Sequence, residues 1–292
     1  MKFGVSLFPT DTSARPDVVA REAENRGFHA FWVSEHSHMP VSTRFPMADT
    51  VPREYSSMLD PFVALSLAAG ATTRILLGTA IVILPQHDPI NCAKAVATLD
   101  LVSGGRVLFG IGAGWNEPEL RNHRTEPSTR FRLMRERVEA MKALWTNEVA
   151  GYDGEFVRIE PSWQWPKPVQ KPHPPIFVAG ASPNVIRRVA SYGDGWLPVV
   201  VPQASDITPG RMTPLAELRD MVPRMRELAA EKGRPAPRVV VSGYFDAEAH
   251  AVYEALGVES LTFRLPSADF DTVRQAMDAA QAQLKEAGIS LT

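Results

Sequence analysis

Short β-rich runs alternate with longer stretches of helical period eight times along this 292-residue chain, and nothing else in it limits the possible folds so strongly. The predicted strands are Lys2 to Phe8, Ala30 to Glu35, Ile75 to Leu84, Val107 to Gly112, Ile176 to Gly180, Gly195 to Val200, Val239 to Phe245 and Ser260 to Leu265. Helices are expected from near Pro16, Pro61, Pro89, Ser128, Pro183, Pro214, Ala247 and Asp269. Five of these begin at a proline, which suits a first helical turn because its missing N–H would be unpaired there anyway. Runs such as Ile75 to Leu84 show no in/out alternation, as expected of parallel strands covered outside by helices and filled inside by side chains. Eight βα units in a chain of this length predict an α/β fold of the TIM (β/α)8 type, one domain over residues 1–292. A doubly wound sheet would have fewer strands or a second domain.

Composition narrows the class. With 31 basic against 33 acidic residues and 45% apolar content, the chain carries enough apolar surface to fold. It lacks the broad positive charge that nucleic-acid backbones require. Cys92 is the single cysteine, so no intramolecular disulfide forms and a reducing cytoplasm is expected. The chain opens on a strand-like run without a basic-then-apolar leader, and no run reaches about 18 apolar residues. The expectation is a cytoplasmic protein acting on a small molecule, with no membrane or nucleic-acid partner.

Two stretches break the βα rhythm. Ser37 to Leu59 follows a strand and belongs at the carboxyl-end mouth of a barrel, as a lid, whereas Asn147 to Pro175 follows a helix and belongs on the opposite face. Pro202 to Thr213 follows the sixth strand and is a second lid candidate.

In a barrel, the residues just past each strand's carboxyl end converge on one site. Glu35-His36-Ser37-His38 ends the second strand, and an H-x-H there is able to hold a metal. The fourth, fifth and sixth strands end without histidine, which leaves too few ligands, so no metal is expected. His36 is instead expected to donate a proton to, or take one from, a bound molecule. Gly110-Ile111-Gly112-Ala113-Gly114-Trp115 is not a dinucleotide fingerprint, because Trp115 replaces the third glycine, the run follows the fourth strand, and Arg130 stands where an acid is needed. Its glycines suit either a flat ring lying close to the backbone or tight strand packing. Gly180-Ala181-Ser182-Pro183 leads into a helix start, with Ser182 as cap, and suits a phosphate; Arg187 and Arg188 follow one turn later.

Phe31-Trp32-Val33-Ser34-Glu35-His36, Leu77 to Val82, Ala97 to Val107, Gly112-Ala113-Gly114-Trp115-Asn116-Glu117, Lys171 to Ile176 and Gly193 to Pro198 together resemble the luciferase-like monooxygenase superfamily. More narrowly they resemble its actinobacterial coenzyme F420-dependent oxidoreductases. The resemblance runs from Met1 to Pro198; beyond Val200 the chain reads as generic barrel completion. It implies a barrel that binds the deazaflavin F420, or alternatively FMN, at its mouth and exchanges a hydride with a small activated alkene, ketone or alcohol. The alternative with FMN is a two-component monooxygenase supplied with reduced flavin by a separate reductase. The resemblance also places a bulged third strand, often with a cis peptide, behind the ring; the matching residues are Thr79, Ala80 and Ile81. It matches the mouth histidine to His36, preceded by Glu35, the ring-bordering turn to Gly112, Ala113 and Gly114, and the cofactor-phosphate site to Gly180, Ala181 and Ser182. Sugar-phosphate dehydrogenases of this superfamily carry a glutamate where Trp115 stands, a departure that counts against a sugar-phosphate substrate; either Glu117 substitutes as the acid or Trp115 forms an apolar wall for an apolar substrate. A homodimer through Pro61 to Gly70 and Pro89 to Ser103 is likewise implied.

Overall fold

The computed structural model describes residues 1–203 and 212–291. Eight parallel strands close on themselves: β1 (Lys2–Leu7), β2 (Ala30–Val33), β3 (Leu76–Thr79), β4 (Val107–Gly112), β5 (Ile176–Ala179), β6 (Gly195–Leu197), β7 (Arg238–Gly243) and β8 (Ser260–Arg264). Each pairs with its sequence neighbour, and β8 returns to β1 with Gly4 beside Thr262. The α/β TIM barrel is therefore complete. Around it lie α1 (Pro16–Asn25), α2 (Pro61–Ala71), α3 (Pro89–Ser103), a short α4 (Glu117–Asn122), α5 (Arg130–Thr146), α6 (Asn184–Tyr192), α7 (Leu218–Ala230), α8 (Ala247–Ala255) and α9 (Phe270–Glu286).

The barrel interior is plugged by Ala30, Trp32, Leu108, Phe177, Leu197 and Val240. A larger apolar shell, including Val5, Phe31, Leu77, Phe109, Val178 and Val241, faces outward beneath the helices. This two-sided burial explains why the strands read as continuous apolar runs.

Several expected boundaries shift for local reasons. The third run is interrupted: β3 stops at Thr79 and pairing with β4 resumes at Val82–Ile83, around a cis Ala80–Ile81 peptide. The sixth run breaks at Pro198, which has no N–H to donate, and resumes at Val199–Val201. Pro183 precedes α6 rather than opening it, and Pro214 lies in a short strand one 3-10 turn ahead of α7. Pro16, Pro61 and Pro89 do open their helices. Asp60 and Asp88 cap the latter two through backbone N–H groups of Phe62, Val63 and Asn91, each cap worth about 1 kcal/mol.

The Asn147–Pro175 excursion contains an antiparallel hairpin, Val149–Asp153 with Arg158–Trp163. It does not stay at the barrel's far end. Glu136 of α5 accepts from the N–H groups of Glu155, Phe156 and Val157, and Gln164 donates to the Ile90 carbonyl on α3, so the segment runs along the helical flank. Residues 204–211, most of the second lid candidate, lie outside the described residues.

Candidate active site

The ends of β2, β3 and β4 interlock. Ser34, Glu35 and His36, all buried, follow β2 in consecutive positions. Ser34 Oγ donates to the Ala80 carbonyl at 2.8 Å, and the Ala80 N–H donates to Val33 at 2.7 Å. One Glu35 carboxylate oxygen accepts from the Ile83 N–H at 2.6 Å, and the other pairs with His87 Nε2 at 2.6 Å. Burial opposes a charge on His87, but the Glu35 bond and charge outweigh it and raise its pKa. From the other side, Thr79 Oγ1 donates to the Gly110 carbonyl at 2.7 Å. The segment from Thr79 to Ile83 is thus held on both flanks by polar bonds inside the protein.

Two glycines of β4 make this possible. A Cβ on Gly110 would lie 1.9 Å from the Thr79 carbonyl oxygen, and one on Gly112 would lie 2.8 Å from Ile81 Cδ1. Of the two uses considered for the glycine run, these positions serve close packing, and the space they clear is filled by the bulged β3 itself. Ala80 and Ile81, with Ala179 of β5, remain partly exposed above the interior plug and form an apolar floor.

His36 sits between two named partners. Its Nδ1 lies 2.7 Å from Glu119 Oε2, and its Nε2 accepts from the Trp115 indole Nε1 at 3.2 Å. An indole N–H is only a donor, so Nε2 carries the lone pair and Nδ1 the hydrogen. Glu119 has no exposed side-chain surface. Its other oxygen accepts from the Ser37 N–H at 3.1 Å. Burial would raise its pKa, yet the bonds from His36 and Ser37 bring it below the ordinary glutamate value, so the carboxylate is ionised and holds the imidazole tautomer.

Glu119 was not singled out from the sequence. Glu117 was, and it is exposed and paired with Arg121 at 2.8 Å on the outer side of α4. The signal that distinguishes them is Pro118: with Glu117 and Pro118 opening the short helix, the residue two places on turns inward.

Aromatic rings enclose the His36 edge. Phe8 from the end of β1, Phe45 and Tyr55 from the long β2 connection, and Trp115 after β4 meet at ring separations of 4.9 to 6.4 Å. His36 lies 5.4 Å from Tyr55 and 5.5 Å from Trp115. The long connection is therefore part of the mouth, as its position after β2 requires.

His38 does not join His36. It bonds to Ser37 Oγ at 2.9 Å and to Asn122 Nδ2 at 2.8 Å, and among the described residues no three His, Cys, Asp or Glu side chains converge in metal-binding geometry. Beyond β5, Gly180 adopts φ +136°, and its carbonyl accepts from Trp196 Nε1 at 2.9 Å. Ser182 makes no side-chain cap, because the helix starts two residues later; its carbonyl instead accepts from Val185 N–H at 2.8 Å. Arg188 lies over the Phe131 ring at 3.7 Å and Arg187 is exposed.

An apolar floor at Ala80, Ile81 and Ala179, the buried imidazole of His36 and the loop at Gly180 to Ser182 all lie at the carboxyl ends of the barrel strands. The barrel together with the family match defines the class, an oxidoreductase of the luciferase-like type. The chain belongs to the luciferase-like monooxygenase family, which matches residues 1–290.

An uncharacterized protein of Mycobacterium tuberculosis is 39% identical over 97% of this chain and 99% of its own length. An F420-dependent hydroxymycolic acid dehydrogenase of the same organism is 31% identical over 66% of this chain and half of its own. An FMNH2-dependent dimethylsulfone monooxygenase of Pseudomonas putida is 34% identical over 46% of this chain and 38% of its own. Among solved structures, an F420-dependent secondary alcohol dehydrogenase bound to an F420-acetone adduct superposes with TM-score 0.73 over 98% of both chains at 18% identity, a likeness of fold. No helix among the described residues is long and apolar enough to cross a membrane.

Proposed function

We propose that the protein exchanges a hydride between coenzyme F420 and a small alcohol, ketone or activated alkene. The observation that carries this reading is the His36–Glu119 pair beside the Ala80–Ile81 floor: an imidazole of fixed tautomer, largely shielded from water, with Nε2 available as proton acceptor. The deazaflavin supplies a two-electron carrier at its C5 position when bound. Thr79, Ala80 and Ile81 would support its ring, the turn at Gly112, Ala113 and Gly114 would border it, and Gly180, Ala181 and Ser182 would receive its phosphate. His36 takes the hydroxyl proton when an alcohol is oxidised and returns it when a carbonyl is reduced. Glu35 acts as a positioning residue, because both of its oxygens are bonded to Ile83 and His87. Trp115 both walls the site and bonds His36.

The relative named for F420 supports the deazaflavin, and the relative named for reduced FMN supports the second reading, a two-component monooxygenase with a separate reductase. We also place the protein in the cytoplasm as a homodimer joined through α2 and α3, whose outward faces carry Val63, Leu67, Ile90, Leu101 and Val102. Side-by-side fluorescence titration with F420 and FMN tests the cofactor. Tight binding of F420 alone is expected; selective FMN binding with oxygen consumption would replace the first reading by the second.

A further inference from the structure

The amino end of the barrel, opposite the mouth, opens into a cavity of about 510 Å³. Lys2, His29 and Arg74 line it from three adjacent strands: Lys2 opens β1, His29 immediately precedes β2, and Arg74 stands just ahead of β3. Backbone bonds fix that order, because the His29 N–H donates to the Phe3 carbonyl at 2.7 Å and the His29 carbonyl accepts from the Leu76 N–H at 3.0 Å. Phe3, Phe28 and Ile289 add apolar wall. The charged groups here differ in what they have to pair with. Burial pushes the Glu24 carboxyl up, but bonds from the N–H groups of Ile75, Arg74 and Thr73, at 2.8, 2.6 and 3.1 Å, and the Arg74 charge bring it below its ordinary value, so it is ionised and already engaged. Arg26 is paired with Glu22 at 2.8 Å and with Asp278, and the Met1 ammonium with Glu254 at 3.0 Å. The side chains of Lys2, His29 and Arg74 make no hydrogen bond or ion pair among the described residues.

We propose that this cavity binds a small organic anion, its phosphate or carboxylate head held by Lys2, Arg74 and the His29 ring and its apolar body lying against Phe3, Phe28 and Ile289. The site is at the far end of the barrel from His36 and is independent of the cofactor reading. Neighbouring strands lie about 4.8 Å apart, so Lys2 and Arg74 flank His29 across roughly 10 Å of backbone, a gap that two long cationic side chains close on one anion. Burial lowers the His29 pKa, Glu259 raises it, and Lys2 and Arg238 lower it, leaving it below the ordinary histidine value; Arg238 and Glu259 are themselves paired. The ring is therefore neutral near pH 7, and an anion beside it favours its protonation.

The test is an NMR titration of the full chain, labelled with 15N-histidine, using phenyl phosphate, benzoate, inorganic phosphate and phenol; His29→Gln identifies the His29 ring signals and His36→Gln those of His36. Phenyl phosphate or benzoate should shift the His29 signals and raise the His29 pKa by about one unit. The better of the two should bind about ten-fold tighter than inorganic phosphate or phenol, each of which carries only the head or only the body. Tighter binding of phenyl phosphate assigns a phosphate head, and tighter binding of benzoate a carboxylate head. The double variant Lys2→Gln/Arg74→Gln should weaken that binding about ten-fold at unchanged Tm, because neither side chain makes a bond in the fold. Inorganic phosphate or phenol binding as tightly as the organic anions overturns the proposal, and that comparison needs no variant. So does a response confined to the His36 signals, which puts the anion at the mouth, or an undiminished affinity in the double variant.

Discussion

Nδ1 of His36 and Oε2 of Glu119 lie 2.7 Å apart in a pocket from which the Glu119 side chain has no path to solvent. Because the carboxylate also accepts from Ser37 N–H, it fixes the imidazole both in orientation and in tautomer. Glu119→Gln should therefore lower kcat by about 10²-fold with a smaller change in KM, measured on whichever substrate the cofactor titration leads to. Glu117→Gln should leave kcat within about two-fold and stability within roughly 0.5 kcal/mol, since that carboxylate belongs to an exposed pair with Arg121. Its pKa direction gives Glu119 a stability signature as well. A carboxylate held below its unfolded value stabilises the fold above the ordinary glutamate range, and that contribution fades as pH falls through the folded value. Urea midpoints of the parent and Glu119→Gln should converge on acidification, and midpoints that diverge would remove this assignment.

The Glu35–His87 bond has the opposite sign. Burial lowers the His87 pKa, but Glu35 raises it by more, so the folded value lies above the unfolded one. The stabilisation is fully present below the unfolded histidine value and is lost as pH rises through the folded value. His87→Ala should cost about 2 kcal/mol at pH 6 and clearly less at pH 9 by urea unfolding. A pH-independent cost would mean that the ring packs rather than pairs.

Steric room at β4 gives a graded prediction. Gly110→Ala sets a Cβ against a backbone oxygen of β3, which cannot swing aside, and should destabilise by about 3 kcal/mol or prevent soluble expression. Gly112→Ala meets the tip of Ile81, which is able to turn, and should cost about 1 kcal/mol while weakening F420 binding through a displaced floor. Thermal unfolding with F420 titration on the same samples checks both; an intact Gly110→Ala protein would show that β3 relaxes more freely than its bonds imply.

The barrel was legible because its evidence is periodic and redundant: eight runs, five of their helices punctuated by proline. His36 was legible because a strand end on a barrel fixes where the next side chains go. Glu119 was not, because it lies on a six-residue helix beyond a strand end, and nothing in its spacing separates it from exposed Glu117 until Pro118 is placed in the first turn. The interruption of the third run was suggested only by the family resemblance, since Ile75 to Leu84 is apolar but for Thr79 and reads as one strand. The hairpin at 149–163 was hidden by its glycines and charges, which give no alternating pattern; what orders it is one buried residue far away in sequence, Glu136 on α5.

The outward faces of α2 and α3 lead to the last prediction. A helix on the outer ring of a monomeric barrel needs an apolar stripe inward and polar residues outward, but Pro61–Ala71 is apolar nearly all round, and Val63 on α2 and Val102 on α3 are 62% and 64% exposed. Burying them against the same face of a second copy satisfies both helices with a single two-fold contact. Light scattering at micromolar concentration should give twice the 32.1 kDa chain mass for the parent and the single-chain mass for the double variant Val63→Glu/Val102→Glu. The double variant should retain its far-ultraviolet circular dichroism, because neither side chain belongs to the barrel core. A parent protein at the single-chain mass would show that this face meets solvent or a different partner.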